Sequence, residues 1–156
     1  ILSIGAVEFD INNGNTGREF YVKIDLQSCI NEGLIMSAST VMWWLKQSKE
    51  ARNELSTGKL ETLQNALLKF SDFFTHDYQV WGNSARFDLG ILENAYNKIG
   101  SKIPWKFWNE RDVRTLVSFA PDVKSEFVFK GVAHNAIDDC KFQIGYCCKI
   151  WNKLNN

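Results

Sequence analysis

The chain has no surplus of charge. Its 156 residues include 18 basic and 18 acidic side chains, so the field of the whole protein does not mark it as a partner for polyanions. Any contact with nucleic acid must therefore be local. Long apolar runs are also missing. None approaches the roughly 18 residues of a membrane span, so no membrane partner is expected. The four cysteines, Cys29, Cys140, Cys147 and Cys148, lack zinc-knuckle spacing, and three of them share one predicted helix. They read as reduced core thiols of a cytoplasmic protein. Ile1 is not an initiator methionine and no signal-peptide pattern follows it, so the chain reads as a fragment or a trimmed product. Internal repeats, low-complexity runs and linkers are absent as well. What is present, 45% hydrophobic and 13% aromatic residues, suits a single domain with one core.

The pattern along the chain predicts an alternation of strands and helices. Ile1 to Phe9 is almost continuously apolar and ends in a turn-forming loop from Asp10 to Gly17. Phe20, Val22 and Ile24 then alternate with Tyr21, Lys23 and Asp25, which predicts a buried strand followed by a half-exposed one. From Ser39 the pattern becomes helical, with Val41, Trp44, Leu45 and Ser48 on one side. Leu60, Leu63, Leu67, Phe70 and Phe74 form a three-four stripe, and Phe87, Ile91, Leu92, Ala95 and Ile99 form another that stops at Gly100. Between these two helices, Gln79 to Gly82 reads as a short buried strand. The segment from Asp112 to Leu116 fits either an edge strand or a helix start. In the last helix Asn135 is a cap with Asp138 three residues on, close to a capping box, and Ile137, Cys140, Ile144, Cys147, Cys148 and Trp151 form the buried face. This order predicts one α/β domain in three layers.

Two segments carry the chemistry. His134-Asn-Ala-Ile-Asp-Asp139 puts a histidine and a carboxylate at a loop-to-helix junction, and Trp81-Gly-Asn-Ser-Ala-Arg-Phe-Asp88 puts a second carboxylate after a short strand. Magnesium and manganese prefer oxygen ligands, and a pair of such ions about 4 Å apart can clamp a phosphodiester. Carboxylates from several segments are needed, because one short segment cannot surround two ions. Asp88 and Asp139 both fall in first turns of helices, where the positive helix end favours an ionised side chain. Imidazole titrates near neutrality, so His134 can take a proton from water. Taken alone, His134 reads first as a surface loop residue and Asp88, Asp138 and Asp139 as ordinary helix-start acids. The four tryptophans Trp43, Trp44, Trp105 and Trp108 read first as core or interface side chains. Trp43 and Trp44 are neighbours on one helix and cannot face the same core, so one of them is expected at an interface or beside the substrate.

A resemblance reverses the first of those readings. The segments Ile4-Gly-Ala-Val7, Trp43-Trp-Leu-Lys-Gln-Ser48, Trp81-Gly-Asn83 with Phe87-Asp88, Phe107 to Thr115, and Val132-Ala-His-Asn135 through Asp139 are similar to the DEDDh group of 3′–5′ exonucleases. Within that group the chain looks most like the phage and prophage enzymes related to phage exonuclease A and to the exodeoxyribonuclease VIII-like proteins. The resemblance spans residues 1–156 and implies a single ribonuclease-H-like, three-layer α/β domain with a mixed central sheet. It implies two magnesium or manganese ions held by Asp88 and Asp139, His134 as general base and Asn83 near the scissile nucleotide. Among the arginines that could contact phosphate, Arg86, Arg111 and Arg114, the expected one is Arg86, just before Asp88. The expected substrate is single-stranded DNA or RNA, cut to nucleoside 5′-monophosphates, and the expected assembly is a homodimer. In that group an Asp-x-Glu motif on a first strand lies directly upstream of the segment resembling Ile4 to Val7. Nothing precedes Ile1 here, so the first strand and two carboxylates are expected on some ten to twenty further residues. The chain from Ile1 alone is expected to show little turnover. The alternative is an inactive nucleotide- or nucleic-acid-binding module.

Overall fold

The computed structural model describes residues 1–132 and 134–155, apart from the side chains of residues 54 and 55. Strands β1 (Ser3–Phe9) and β2 (Thr16–Lys23) form an antiparallel hairpin with Ile4 opposite Val22 and an irregularity between Val7 and Phe9. Asp10 shapes the turn by accepting the backbone N–H of Asn12 at 2.9 Å. Alternation along β2 sends Val22 into the core, and Ile24 follows it just beyond the strand. The hairpin leads to α1 (Leu26–Asn31), capped by Asp25, and then to α2 (Ala38–Leu45) and α3 (Lys49–Ser56). The single helical stripe expected from Ser39 is broken there. Ser48 does not face a core; its hydroxyl accepts the backbone N–H of Ala51 at 3.2 Å and starts the second helix. Leu45, freed from the stripe, is exposed.

Helix α4 (Leu63–Phe73) follows its apolar pattern closely. Thr62 caps it, and Leu63, Ala66, Leu67 and Phe70 are buried against the hairpin and α5. Leu60 falls outside the helix and stays exposed. Strand β3 (Val80–Gly82) pairs in parallel with β4 (Glu110–Asp112), and α5 (Ala85–Lys98) crosses between them. The buried face of α5 is Leu89, Ala95 and Tyr96; Phe87 and Ile91, expected inside, are exposed. Asp112 resolves the ambiguous segment. Its carboxylate accepts the Thr115 backbone N–H at 2.7 Å, which ends β4 and begins α6 (Val113–Ser118). A short α7 (Pro121–Ser125) precedes α8 (Ala136–Asn155), which packs Ile150, Tyr146 and Cys147 against α6 and α7. All four cysteines are free, and Cys29, Cys147 and Cys148 are buried, as expected of core thiols.

The chain is thus α/β, but the strands do not join. Among the described residues there are two separate two-stranded sheets, β1–β2 and β3–β4, in place of one mixed central sheet. Each sheet is paired along one side, and β1 and β3 line a common groove. No helix of the described residues is long and apolar enough to cross a membrane.

One surface network fastens the hairpin to the end of α4. Glu8 on β1 pairs with Arg18 on β2 and accepts the Tyr78 hydroxyl at 2.6 Å, while Arg18 also donates to the Phe73 carbonyl at 2.8 Å. The Arg18 guanidinium, with help from Tyr78, holds the Glu8 carboxyl down from its ordinary 4.5 to about 2. A depressed folded-state value contributes stability above 4.5 that disappears as the pH falls toward 2. Because Arg18 is half exposed, a contribution of about 1 kcal/mol is expected. Urea unfolding of wild type and Glu8→Gln should differ by that amount at pH 7 and converge only near pH 2. An equal difference at both pH values rules out the charge as its source.

Candidate active site

The groove between the sheets has a volume of about 1310 Å³ and is lined by β1, β3, one side of α5 and of α8, the end of α4, and α1 with the segment that leads into α2. Asp88 enters it from α5 and Asp139 from α8, so two carboxylates 51 positions apart in the sequence share one cleft. Local folding sets each of them. The Asp88 carboxylate accepts the Asn83 backbone N–H at 2.8 Å, which closes the β3-to-α5 turn. A Cβ on Gly82 would sit only 3.2 Å from the Asp88 Cβ, so the strand can approach this closely because it ends in glycine. Asn135 caps α8 by accepting the backbone N–H of Ile137 at 3.0 Å. Asp138 does not complete a capping box. It turns back and accepts the Val132 N–H at 2.8 Å, and Asp139 is left facing the groove.

Burial pushes both groove carboxyls above the ordinary range. For Asp88 the Asn83 N–H and the Arg114 charge oppose that rise, and Asp112 adds to it. For Asp139 the imidazole and backbone N–H of His134 oppose the rise. The two act jointly on the neighbouring Cys140 thiol, which burial, then Asp139, then Asp88 drive up to about 12. Two desolvated acids against one thiol leave a deficit of positive charge. In kind, they fit a hard divalent cation, which would favour their ionised forms. In number they fall short: among the described residues no group of three or more His, Cys, Asp and Glu side chains is gathered to hold a metal ion.

His134 lies beside Asp139 and outside the groove lining, exposed, with φ +70. Its ring packs edge-on against Trp43 at 4.8 Å and Trp44 at 6.0 Å. Both indoles of α2 therefore meet the histidine, where the sequence placed only one beside a site. Asn83 is brought to the groove. Arg86 is not; it lines a neighbouring notch with Ser84, Phe87 and Arg114.

The structure gives two residues contacts that the sequence did not: Arg114, read only as a possible phosphate ligand, and Asp112, read only as the start of an edge strand or a helix. Arg114 donates from Nε to the Asn83 side-chain oxygen at 3.3 Å, and its charge reaches Asp88. Asp112 accepts the Ala85 N–H at 2.6 Å, tying the start of α5 to the end of β4. Burial raises the Asp112 carboxyl, but these backbone donors outweigh it and hold the group below its usual value. The available signal was Asp112 followed three positions later by Thr115, a helix-capping pattern.

Strand ends, helix starts and two partly buried acids surround one groove, and comparison with known proteins gives the class, an exonuclease family. Residues 1–151 match the Rv2179c-like 3′–5′ exoribonuclease domain, and the chain belongs to that family. It is also similar to an exodeoxyribonuclease of Enterobacteria phage T4, with 28% identity over 177 aligned residues that cover 90% of this chain and 77% of the phage protein. No solved structure matches.

Proposed function

We propose that the protein is a metal-dependent 3′–5′ exonuclease that trims single-stranded ends to nucleoside 5′-monophosphates. The observation that carries this reading is the convergence of Asp88 and Asp139 on one groove, with His134 beside Asp139. Asp88 and Asp139 would hold magnesium or manganese. Two such ions would supply charge neutralisation at the phosphodiester and lower the barrier to attack on phosphorus. Asn83, positioned between Asp88 and Arg114, would orient the terminal nucleotide. His134 would take the proton from the attacking water as its oxygen bonds to phosphorus. The bond to the 3′ oxygen then breaks, leaving a nucleoside 5′-monophosphate and a strand one residue shorter.

The accompanying fold reading is ribonuclease-H-like, and it is supported by β1 and β3 lining the same groove with α5 and α8. The family description speaks of RNA and the phage relative's name of DNA, so both belong in the test. Labelled single-stranded RNA and DNA should be incubated with manganese and either this chain or one extended at its amino end. The expected result is turnover that His134→Ala lowers by about 10² or more.

The short ligand count favours a second reading, a module that binds nucleic acid without cutting it. Binding without turnover in both forms of the chain would establish that reading and end the first.

A further inference from the structure

Just outside the groove lies a notch of about 430 Å³ lined by Ser84, Arg86, Phe87 and Arg114. Two guanidinium groups converge there with no carboxylate among the lining residues. Among the described residues the Arg86 side chain makes no hydrogen bond or ion pair, and the Arg114 side chain donates to Asn83. Arg114 has the Asp88 charge on its groove side, but Arg86 has no ion-pair partner among the described residues and sits in the first turn of α5, where the helix dipole disfavours a cation. The Arg86 side chain makes no hydrogen bond among the described residues that would offset this. An anion in the notch would. Phe87 is 65% exposed although it lies in a helix with an apolar core face, so one ring is presented to solvent next to the two charges. Guanidinium groups and an aromatic face together match a nucleotide unit, since arginine pairs with phosphate and a base stacks on a ring. Arg114, bonded to Asn83, links the notch to the acidic groove.

We propose that the notch is a second nucleotide subsite. Arg86 and Arg114 would bind a phosphodiester next to the scissile one, and Phe87 would stack the adjoining base. The inference rests on the exonuclease reading and adds to it a preference for strands with at least two phosphodiesters. It also explains how a chain of zero net charge can hold a polyanion.

Binding of a labelled eight-residue oligothymidylate, measured by fluorescence anisotropy in EDTA, tests the notch without any turnover. Arg86→Ala with Arg114→Ala should weaken binding about tenfold or more and reduce the salt slope by about 0.7, the loss of one single-strand phosphate contact. Arg86→Ala alone, at an exposed and unpartnered position that threatens no packing, should move in the same direction, and Arg86→Lys should keep the slope. Phe87→Ala should weaken binding about fivefold or more with the slope intact. An unchanged salt slope in the arginine variants overturns the subsite. Complete displacement of the strand by millimolar inorganic phosphate at constant ionic strength overturns it too, by making the notch a site for a free anion. Failure of hydrolysis with the slope change intact would strike only the exonuclease reading.

Discussion

Replacing His134 by alanine is expected to lower the turnover number for oligonucleotide hydrolysis by about 10² to 10⁴, in whichever form of the chain shows turnover. Strand affinity should change little. The expectation comes from placement. His134 is a non-glycine residue at φ +70, a conformation that costs on the order of 1 kcal/mol and persists where surrounding structure enforces it. Its backbone N–H turns toward Asp139 and its ring lies against Trp43 and Trp44, so main chain and side chain are both aimed. Little else depends on the residue, because it is exposed and outside both core clusters. A folding defect should therefore not obscure the kinetic one, and thermal unfolding should be nearly unchanged. Added imidazole should restore part of the rate in His134→Ala. Trp43→Ala, which loosens the ring from one side, should lower turnover by a smaller factor, and Trp43→Phe should recover it. A His134→Ala protein turning over within about threefold of wild type would remove histidine from the chemistry.

The sequence revealed this site by parts, and the reason lies in the range of each interaction. His134, Asp139 and the cap at Asn135 are near neighbours in the chain, so one turn of helix fixes them and their spacing is informative. The stripe of α4 was equally legible, because Leu63, Leu67 and Phe70 bury one continuous face. Where an apolar pattern fulfilled two purposes, it misled. Phe87 and Ile91 continue the periodicity of α5, yet the core lies under Leu89, Ala95 and Tyr96, and the other two residues are exposed. Ser48 looked like part of a helical face and is a cap, since a small hydroxyl residue fits either role until the break after Leu45 is known. Arg114 could not be associated with Asp88 from spacing, because the parallel pairing of β3 with β4 brings them together. The meeting of Trp43 and Trp44 with His134 is longer in range still.

The site also depends on a residue with no side chain. Gly5 lies on β1 where α8 begins, and a Cβ there would stand 2.6 Å from the Ala136 Cβ and 2.8 Å from its backbone carbonyl carbon. Real atoms do not approach that closely, and the obstacle includes backbone, so Gly5→Ala must shift the start of α8 off the strand. The Cys140 thiol, which donates to the Gly5 carbonyl at 3.6 Å, would be pulled away with it. Overpacking of this kind costs about 1–3 kcal/mol. The functional effect should be larger than that figure suggests, because Ala136 lies between His134 and Asp139 in the chain. Displacing a catalytic group by about 1 Å can cost around 10²-fold in rate, and here both candidate groups move together away from Asp88. Gly5→Ala is therefore expected to lower the midpoint of thermal unfolding and to depress turnover about a hundredfold, with the oligonucleotide still bound. Adding Ala136→Gly removes the Cβ contact but not the one to backbone, so the pair should recover part of both losses and reveal a coupling between the two sites. Full activity and stability in Gly5→Ala alone would show that β1 does not set the position of α8.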